Sequence, residues 1–490
     1  AEFWQPNHPY VNDLELFGAK SLFQFLNQSC TYTGKNKLAS WLVTPLTSQP
    51  EIKQRQEAVT ELAKMLKWRQ LFVATGNILD INNYNDTQLI SWAKEGNHGV
   101  RRLYYQIARW LLPVITIFAL IMWGTAQLPT AVFILILLFN RFVLWQASTK
   151  AKTLYQKVTK QLETLKNYRR LFRHIENQEF QAQELQKLKE TLYVSGRPAS
   201  KIVGQLSRIS DALESGANML VDLVVNTVFL WNIHHIIRLE KWHSNYGEYI
   251  EKWIEAIGLF DAYTSLGNYS FNHPGYTFPE FTDRPVFQAE QMGHLIISQE
   301  NRVCNDIIID TKGQVFIITG ANMAGKSTFL RTIGVNMVLG MIGAPVCANR
   351  MKFKITRIFT SMNITDSLSK NESYFYAEVK RLKELVDEAM KGGELMVLLD
   401  EILTGTNTRD KETASKAFLE RLIEMNITSL IATHDLSLTT LEEKHPETIH
   451  NKSFEVDMVH DQMHYDYKIR DGVAKNMNAL ELLKQMRLIR

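Results

Sequence analysis

Gln314-Val-Phe-Ile-Ile-Thr-Gly-Ala-Asn-Met-Ala-Gly-Lys-Ser-Thr-Phe-Leu-Arg331 is the stretch on which the reading of this 490-residue chain turns. It opens with a short, β-branched apolar run, the pattern of a buried strand. The strand enters a G-x-x-x-x-G-K-S loop, and from Phe329 the pattern is helical. Strand, glycine loop and helix in that order form the setting of a phosphate-binding P-loop. Its glycines let the backbone curl until successive N–H groups face phosphate oxygens, and the helix N-terminus adds its dipole. The expected contacts to ATP are Gly320, Ala321, Asn322, Met323, Ala324, Gly325, Lys326, Ser327 and Thr328. Lys326 supplies a point charge to the β- and γ-phosphates, and the Ser327 hydroxyl is expected to bind Mg2+.

Downstream, Glu394-Leu-Met-Val-Leu-Leu-Asp400-Glu401 is an apolar strand ending in two carboxylates. At a strand tip Asp400 is expected to hold Mg2+ or its water, and Glu401 to orient and polarise the attacking water. A further strand, Ser429-Leu-Ile-Ala-Thr433, runs into His434-Asp435, which makes His434 a third catalytic candidate beside the γ-phosphate.

These residues carry a family resemblance. Thr319 to Arg331, with Asn322-Met323 inside the loop, resembles the P-loop of MutS proteins, which are ATPases of the ABC type. Ile342-Gly-Ala-Pro-Val-Cys-Ala348 resembles the segment that closes the following helix in that family, and Asp400 to Asp410 its Walker B and D-loop run. Leu403-Thr404 stands where Gly-Arg is usual. Asp366-Ser-Leu-Ser-Lys-Asn-Glu-Ser-Tyr-Phe-Tyr-Ala-Glu378 is similar to the family's signature segment, and the resemblance implies that Ser373 reaches the γ-phosphate held by a second copy. It therefore implies a composite site and a homodimer. More loosely, Gly34 to Leu46, Ile52 to Val59 and Trp253 to Leu266 look like parts of the helical MutS core, and Gly293-His294 like the start of the ATPase domain, with Leu295 in place of the usual proline.

The expected fold is thus α plus α/β and multidomain: a helical MutS-core-like region containing an apolar hairpin, then a P-loop α/β domain. The boundaries are 1–105 and 148–285 for the two helical parts, 106–147 for the hairpin and 286–490 for the ATPase domain. Leu14 to Leu26 and Ile52 to Leu71 show helical spacing, with Pro45 and Pro50 as punctuation. The Lys- and Gln-rich stretch from Ala151 to Leu192 predicts a long exposed helix ended by Gly196-Arg-Pro198, a candidate to track DNA phosphates or simply a solvated face. Met219 to Trp231 reads as a core helix.

No residue between Arg109 and Arg141 is charged, and Gly124-Thr-Ala-Gln-Leu-Pro129 divides the run. Two apolar halves of about 14–17 residues, roughly 21–26 Å long, predict a two-pass membrane anchor over 110–145, short for a hydrocarbon core of about 30 Å. A hairpin buried in a soluble domain, or a re-entrant segment, is the alternative. Arg101, Arg102, Arg109, Arg141, Lys150 and Lys152 flank the run, which places both ends on the cytoplasmic side of a bacterial inner membrane. Arg141 could snorkel at that interface, with Trp110 and Trp145 in an aromatic belt.

A net charge of +4 on 106 charged residues does not by itself mark a nucleic-acid binder. Three dispersed cysteines give no disulfide or zinc pattern and fit a reducing compartment. The chain starts Ala1-Glu-Phe-Trp4, which is expected of a processed or partial sequence. The Phe-x-Glu at Phe418-Leu-Glu420, of the form that reads mismatches, falls in the expected ATPase domain. The functional expectation is an ATP-hydrolysing dimer whose nucleotide state gates a helical clamp on double-stranded DNA, in mismatch repair or recombination. The competing expectation is a membrane-anchored motor or switch acting on a protein.

Overall fold

The computed structural model describes residues 3, 5, 7–79, 86–94, 103–216, 218, 221–362, 374–404, 408–459 and 462–475. They fall into two compact units. One contains Ala1–Asn27, Leu38–Lys64 and Leu266–Arg490, and the other Gln28–Lys37 and Met65–Ser265. The stretch expected as a single 1–105 domain is divided between them.

The first unit is α/β. Its main sheet runs in the order Gln462–Asp471, Ile449–Val459, Val315–Gly320, Thr428–Thr433, Leu395–Asp400, Arg357–Ser361; all neighbours are parallel except the first pair. Parallel strands covered on both faces read as continuous apolar runs, which is why Val315–Gly320 and Leu395–Leu399 are buried throughout. On one face Val315, Ile317, Val397 and Leu399 pack with Leu382 and Leu385 from helix Tyr374–Met390 and Leu419 and Leu422 from helix Thr408–Glu424. The P-loop helix, Lys326–Met341, is largely buried. Gly334 sets its approach: a Cβ there would lie 2.6 Å from Leu14 and 3.2 Å from Leu398. A second, four-stranded sheet is built from Glu280–Phe281, Phe287–Met292, Asn305–Ile309 and Arg350–Phe353.

The start of the chain belongs to this α/β core. Leu14 to Leu26 is not one helix. Glu15 and Gly18 take positive φ, and only Leu22–Leu26 is helical. Leu14 and Leu16 are buried instead in turns. Along the open edge of the sheet, the Thr360 N–H donates to the Pro9 carbonyl at 2.9 Å and the Thr360 hydroxyl to Asp13 at 2.7 Å. An exposed parallel edge is thereby covered. Further on, Pro50 lies in the first turn of helix Gln49–Lys64, where its missing N–H costs nothing, and does not separate two elements.

The second unit is helical. Its longest helix runs unbroken from Thr130 to Glu176, so the hairpin's second arm and the Lys-rich helix are one element of 47 residues. The Lys-rich part is not simply exposed: Leu162, Leu165, Tyr168, Leu171, Phe172 and Ile175 are buried. Lys166 pairs with Asp211, and Arg169 donates to the Ser200 carbonyl. The helix also stops well before Gly196, and Gln183–Glu190 is a separate element. Met219 to Trp231 is not a core helix either. Val221–Asn226 forms a π-helical turn, Leu230 turns the chain at φ 52°, and Leu223, Val224 and Phe229 are exposed.

The hairpin's first arm is helix Leu103–Gly124, 22 residues and about 33 Å, longer than the expected half because the helix begins before Arg109. Only 22% of each apolar arm is buried. A hairpin enclosed in a soluble core would bury most of both.

Candidate functional site

The register of the main sheet brings the candidate residues together. Thr319 pairs with Thr433, and Ala432 lies opposite both Ile318 and Asp400, so three strands end level at their carboxyl edge. This edge is where open α/β sheets bind ligands. Past it the chain turns sharply: Gly320 and Gly325 have φ of 153° and 104°, and a Cβ on Gly320 would strike the Phe454 carbonyl at 2.7 Å. The non-glycine Met323 also takes positive φ, with its side chain exposed at the loop tip.

Lys326, at the helix N-terminus, is 5% exposed. Its ammonium donates to the carbonyls of Gly320 and Ala321 at 2.9 and 3.0 Å and lies 3.2 Å from His434 Nε2. The same nitrogen of His434 is 3.1 Å from Glu401 Oε1. Lys326, His434 and Glu401, from three elements, therefore meet at His434 Nε2, which donates to Glu401 as an N–H or accepts from Lys326 as a bare nitrogen, not both at once.

The adjacent carboxylates are driven apart electrostatically. Burial raises the Asp400 pKa, with the neighbouring Glu401 charge adding to it; a hydrogen bond from Ser327 and the charges of Lys326 and Arg331 oppose. Glu401 is lowered, first by its hydrogen bond with His434. Burial lowers Lys326 against the pull of both carboxylates. Ser327 and Asp400 share a hydrogen bond, so two oxygen ligands stand side by side beneath the loop. That donor set fits Mg2+, which takes one or two protein oxygens and fills its octahedron with phosphate oxygens and water.

The loop beyond is held from behind. Glu401 and Leu403 sit at φ 50° and 56°. Two non-glycine residues in the left-handed region cost of order 1–3 kcal/mol each, and such strain gathers at functional sites. Leu403, where the related pattern has glycine, is 5% exposed and packs into the core, which offsets its backbone cost. Next to it the buried Glu378 carboxylate accepts from the Thr404 N–H at 3.1 Å and hydroxyl at 3.2 Å. In the sequence Glu378 entered only as the last residue of the signature-like segment, with no role given to it, because its contact with Thr404 is made by the fold. It is a positioning residue. Glu378→Ala should leave the KM for ATP near normal, lower kcat about tenfold and destabilise the fold by about 1–3 kcal/mol through the unpaired Thr404 donors; steady-state kinetics with denaturant titration checks this.

A cavity of about 610 Å³ holds these groups and extends past the phosphate cradle to Met292, His294, Ile297 and Tyr467. Tyr467, itself at φ 54°, projects from the antiparallel edge strand, and a Cβ on Gly325 would meet its ring at 3.1 Å. Burial, with Arg331 and Arg302 nearby, pushes His294 down to about 4, so it lines the cavity as a neutral imidazole at physiological pH. None of these four was singled out for the site from the sequence; His294 entered only in Gly293-His294, as the start of the ATPase domain. Ser373 and 405–407 lie outside the described residues.

Parallel strands, a glycine loop, a buried lysine at a helix N-terminus and two carboxylates at a neighbouring strand tip thus meet at one edge of the α/β unit. Comparison with known families is specific: residues 316–488 match MutS domain V, and residues 11–108 match MutS domain III. Together the matches take in more than half of the chain, and the chain belongs to the MutS family. It is 29% identical over 298 residues to the DNA mismatch repair protein MutS of Thermosipho melanesiensis, covering 60% of this chain and 34% of that one. It is 32% identical over 233 residues to the MutS of Thermotoga maritima, covering 47% and 29%. With mouse MutS protein homolog 4 the identity is 34% over 237 residues, covering 46% and 24%. The chain thus spans between about a quarter and a third of the length of these curated relatives.

Proposed function

We propose that this chain is a nucleotide-driven switch: it binds ATP with Mg2+ in the cavity described above, hydrolyses it, and alternates between closed and open dimers. The observation that carries the reading is the Lys326–His434–Glu401 cluster at the level ends of three strands, beside Ser327 and Asp400. Lys326 and the loop N–H groups hold the β- and γ-phosphates. Ser327 and Asp400 would hold Mg2+, which would supply neutralisation of the charge that develops on the phosphates. Glu401, kept ionised by His434, orients and polarises a water toward the γ-phosphorus, and His434 can take up charge on that side. The cavity beyond Gly325 provides room for the base, with Tyr467, Met292 and Ile297 as apolar walls. In the family pattern Ser373 of a second copy completes the site, so closure and dimerisation are the same event.

We further infer that this switch works at a membrane, through the exposed hairpin of residues 103–147, with both flanks on the cytoplasmic face of a bacterial inner membrane. The names of its relatives, DNA mismatch repair proteins, favour DNA as a partner, and we take it to be double-stranded and engaged by the helical unit. One observation favours the second reading, a switch acting on a protein partner: the Lys-rich helix buries its apolar face, and Lys166 and Arg169 are engaged within the unit, which leaves fewer cations for phosphates.

The test is the ATPase rate of purified protein in nanodiscs with homoduplex, mismatched or branched DNA at two salt concentrations. A salt-sensitive change in rate supports the DNA clamp, whereas Mg2+-dependent turnover indifferent to DNA supports the protein-directed switch. In the same assay Lys326→Ala should weaken ATP affinity by about ten- to a hundredfold, the effect of losing a charged hydrogen-bond donor. Unchanged affinity would refute the phosphate site.

A further inference from the structure

We propose that the hairpin enters only one leaflet of the membrane: its tip remains within the hydrocarbon, and residues 221–229 lie beside it in the headgroup interface. This rests on the membrane reading above and fixes its depth.

The first observation is a buried polar level partway along the hairpin. Asn140 Nδ2 donates to Thr116 Oγ1 at 2.7 Å and to the Thr227 carbonyl at 2.9 Å. All three residues are buried. From Thr116 to Gly124 the first arm rises about 12 Å, and from Thr130 to Asn140 the second rises about 15 Å. The hydrocarbon of one leaflet is about 15 Å thick, half the full core. Above the polar level the hairpin is therefore one leaflet tall.

The second observation is charge. Arg141, next to Asn140, pairs with Asp222 at 2.9 Å, with the two side chains 44% and 40% exposed. If the tip reached the far headgroups, this exposed pair would sit near the bilayer midplane. Charges exposed to lipid at that depth are strongly disfavoured. With the tip inside the hydrocarbon, the pair lies among the near headgroups. Trp110 and Trp145 lie about 7–9 Å further from the tip and are exposed, as suits amphipathic rings in an interface.

The turn itself carries no charge and largely satisfies its own polar groups. Trp123 Nε1 donates to Thr130 Oγ1 at 3.1 Å, Thr125 Oγ1 to the Ile121 carbonyl at 3.2 Å, and the Gln127 and Leu128 N–H groups to the Met122 carbonyl. Backbone paired within the segment is what hydrocarbon demands. The 221–229 segment is tied to the polar level by Asp222 and Thr227 and presents Leu223, Val224 and Phe229 outward. Those three apolar side chains, beside a charged pair, match an element lying flat at a lipid surface.

The test uses the full chain with Cys304→Ser, reconstituted with vesicles of phosphatidylethanolamine and phosphatidylglycerol. Flotation comes first, and failure to float overturns the membrane reading and this inference with it. In floated protein, Gln127→Cys should react with a membrane-impermeant maleimide from neither the outside nor the lumen, and only after detergent is added; Glu184→Cys, on an aqueous helix, should react from outside. The Gln127→Cys site, spin-labelled in detergent before reconstitution, should be relaxed more by dissolved oxygen than by a water-soluble nickel chelate. Flotation with labelling from the lumen overturns one-leaflet insertion alone. So does a nickel response above the oxygen response, which would place the turn in water.

Discussion

Replacing Glu401 by glutamine is expected to leave ATP and Mg2+ binding near the wild-type level and to lower turnover by roughly two to four orders of magnitude, the range spanned by lost general-base catalysis. The amide retains the size of the carboxylate and can still contact His434, so the loop geometry at φ 50° should persist. It cannot polarise the attacking water. With hydrolysis blocked, the protein should accumulate as the ATP-bound dimer. The measurement is single-turnover hydrolysis beside light scattering of the nucleotide-bound protein. Turnover within a few-fold of wild type would remove Glu401 from the mechanism. A monomer that nonetheless binds ATP would remove the composite site.

A second large effect concerns the helical unit. Asp261 is entirely buried, and its carboxylate accepts from the N–H groups of Cys30 and Thr31, the Thr31 hydroxyl and the Cys30 thiol. These bonds clasp the start of helix Tyr32–Val43 to helix Trp231–Asn272. Asp261→Ala strands several buried donors at once and should cost about 3 kcal/mol or more. Burial outweighs the four hydrogen bonds and pushes the Asp261 pKa up to about 6. Because the folded-state value lies above the unfolded one, the folded chain binds the extra proton between pH 4 and 6. The linked stability is complete below about pH 4 and is lost as pH rises through 6, a decline of order 3 kcal/mol from this site. Denaturant titrations across that range should show the decline in the wild type but not in Asp261→Asn, which cannot titrate. Equal slopes for the two proteins would assign the pH dependence to other groups.

The α/β domain was legible because its chemistry is local. Strand, loop and helix follow one another within Gln314–Arg331, and Asp400, Glu401 and His434 each lie just past an apolar run. Residues contributed by tertiary structure were not legible. Glu378 matters through Thr404, 26 positions away, and Tyr467 reaches Gly325 only because an edge strand folds back. The opening residues misled for a related reason: Leu14 and Leu16 belong to a run, Leu14 to Leu26, with helical spacing, but they satisfy the α/β core from turns, so their apolarity records burial and not periodicity. In the Met219–Trp231 run apolarity records burial only in part: Leu230 is buried, whereas the exposed Leu223 and Val224 would mark a core helix on sequence pattern alone.

The unbroken helix from Thr130 to Glu176 has a mechanical consequence. It contains neither glycine nor proline, the usual sites of kinks, whereas its hairpin partner carries Pro113. At about 70 Å it is a stiff rod with an apolar end and an end packed in the helical unit. A tilt of about 5° at the packed end would sweep the other by about 6 Å, so a small angular change needs no hinge to become a displacement comparable with a helical turn.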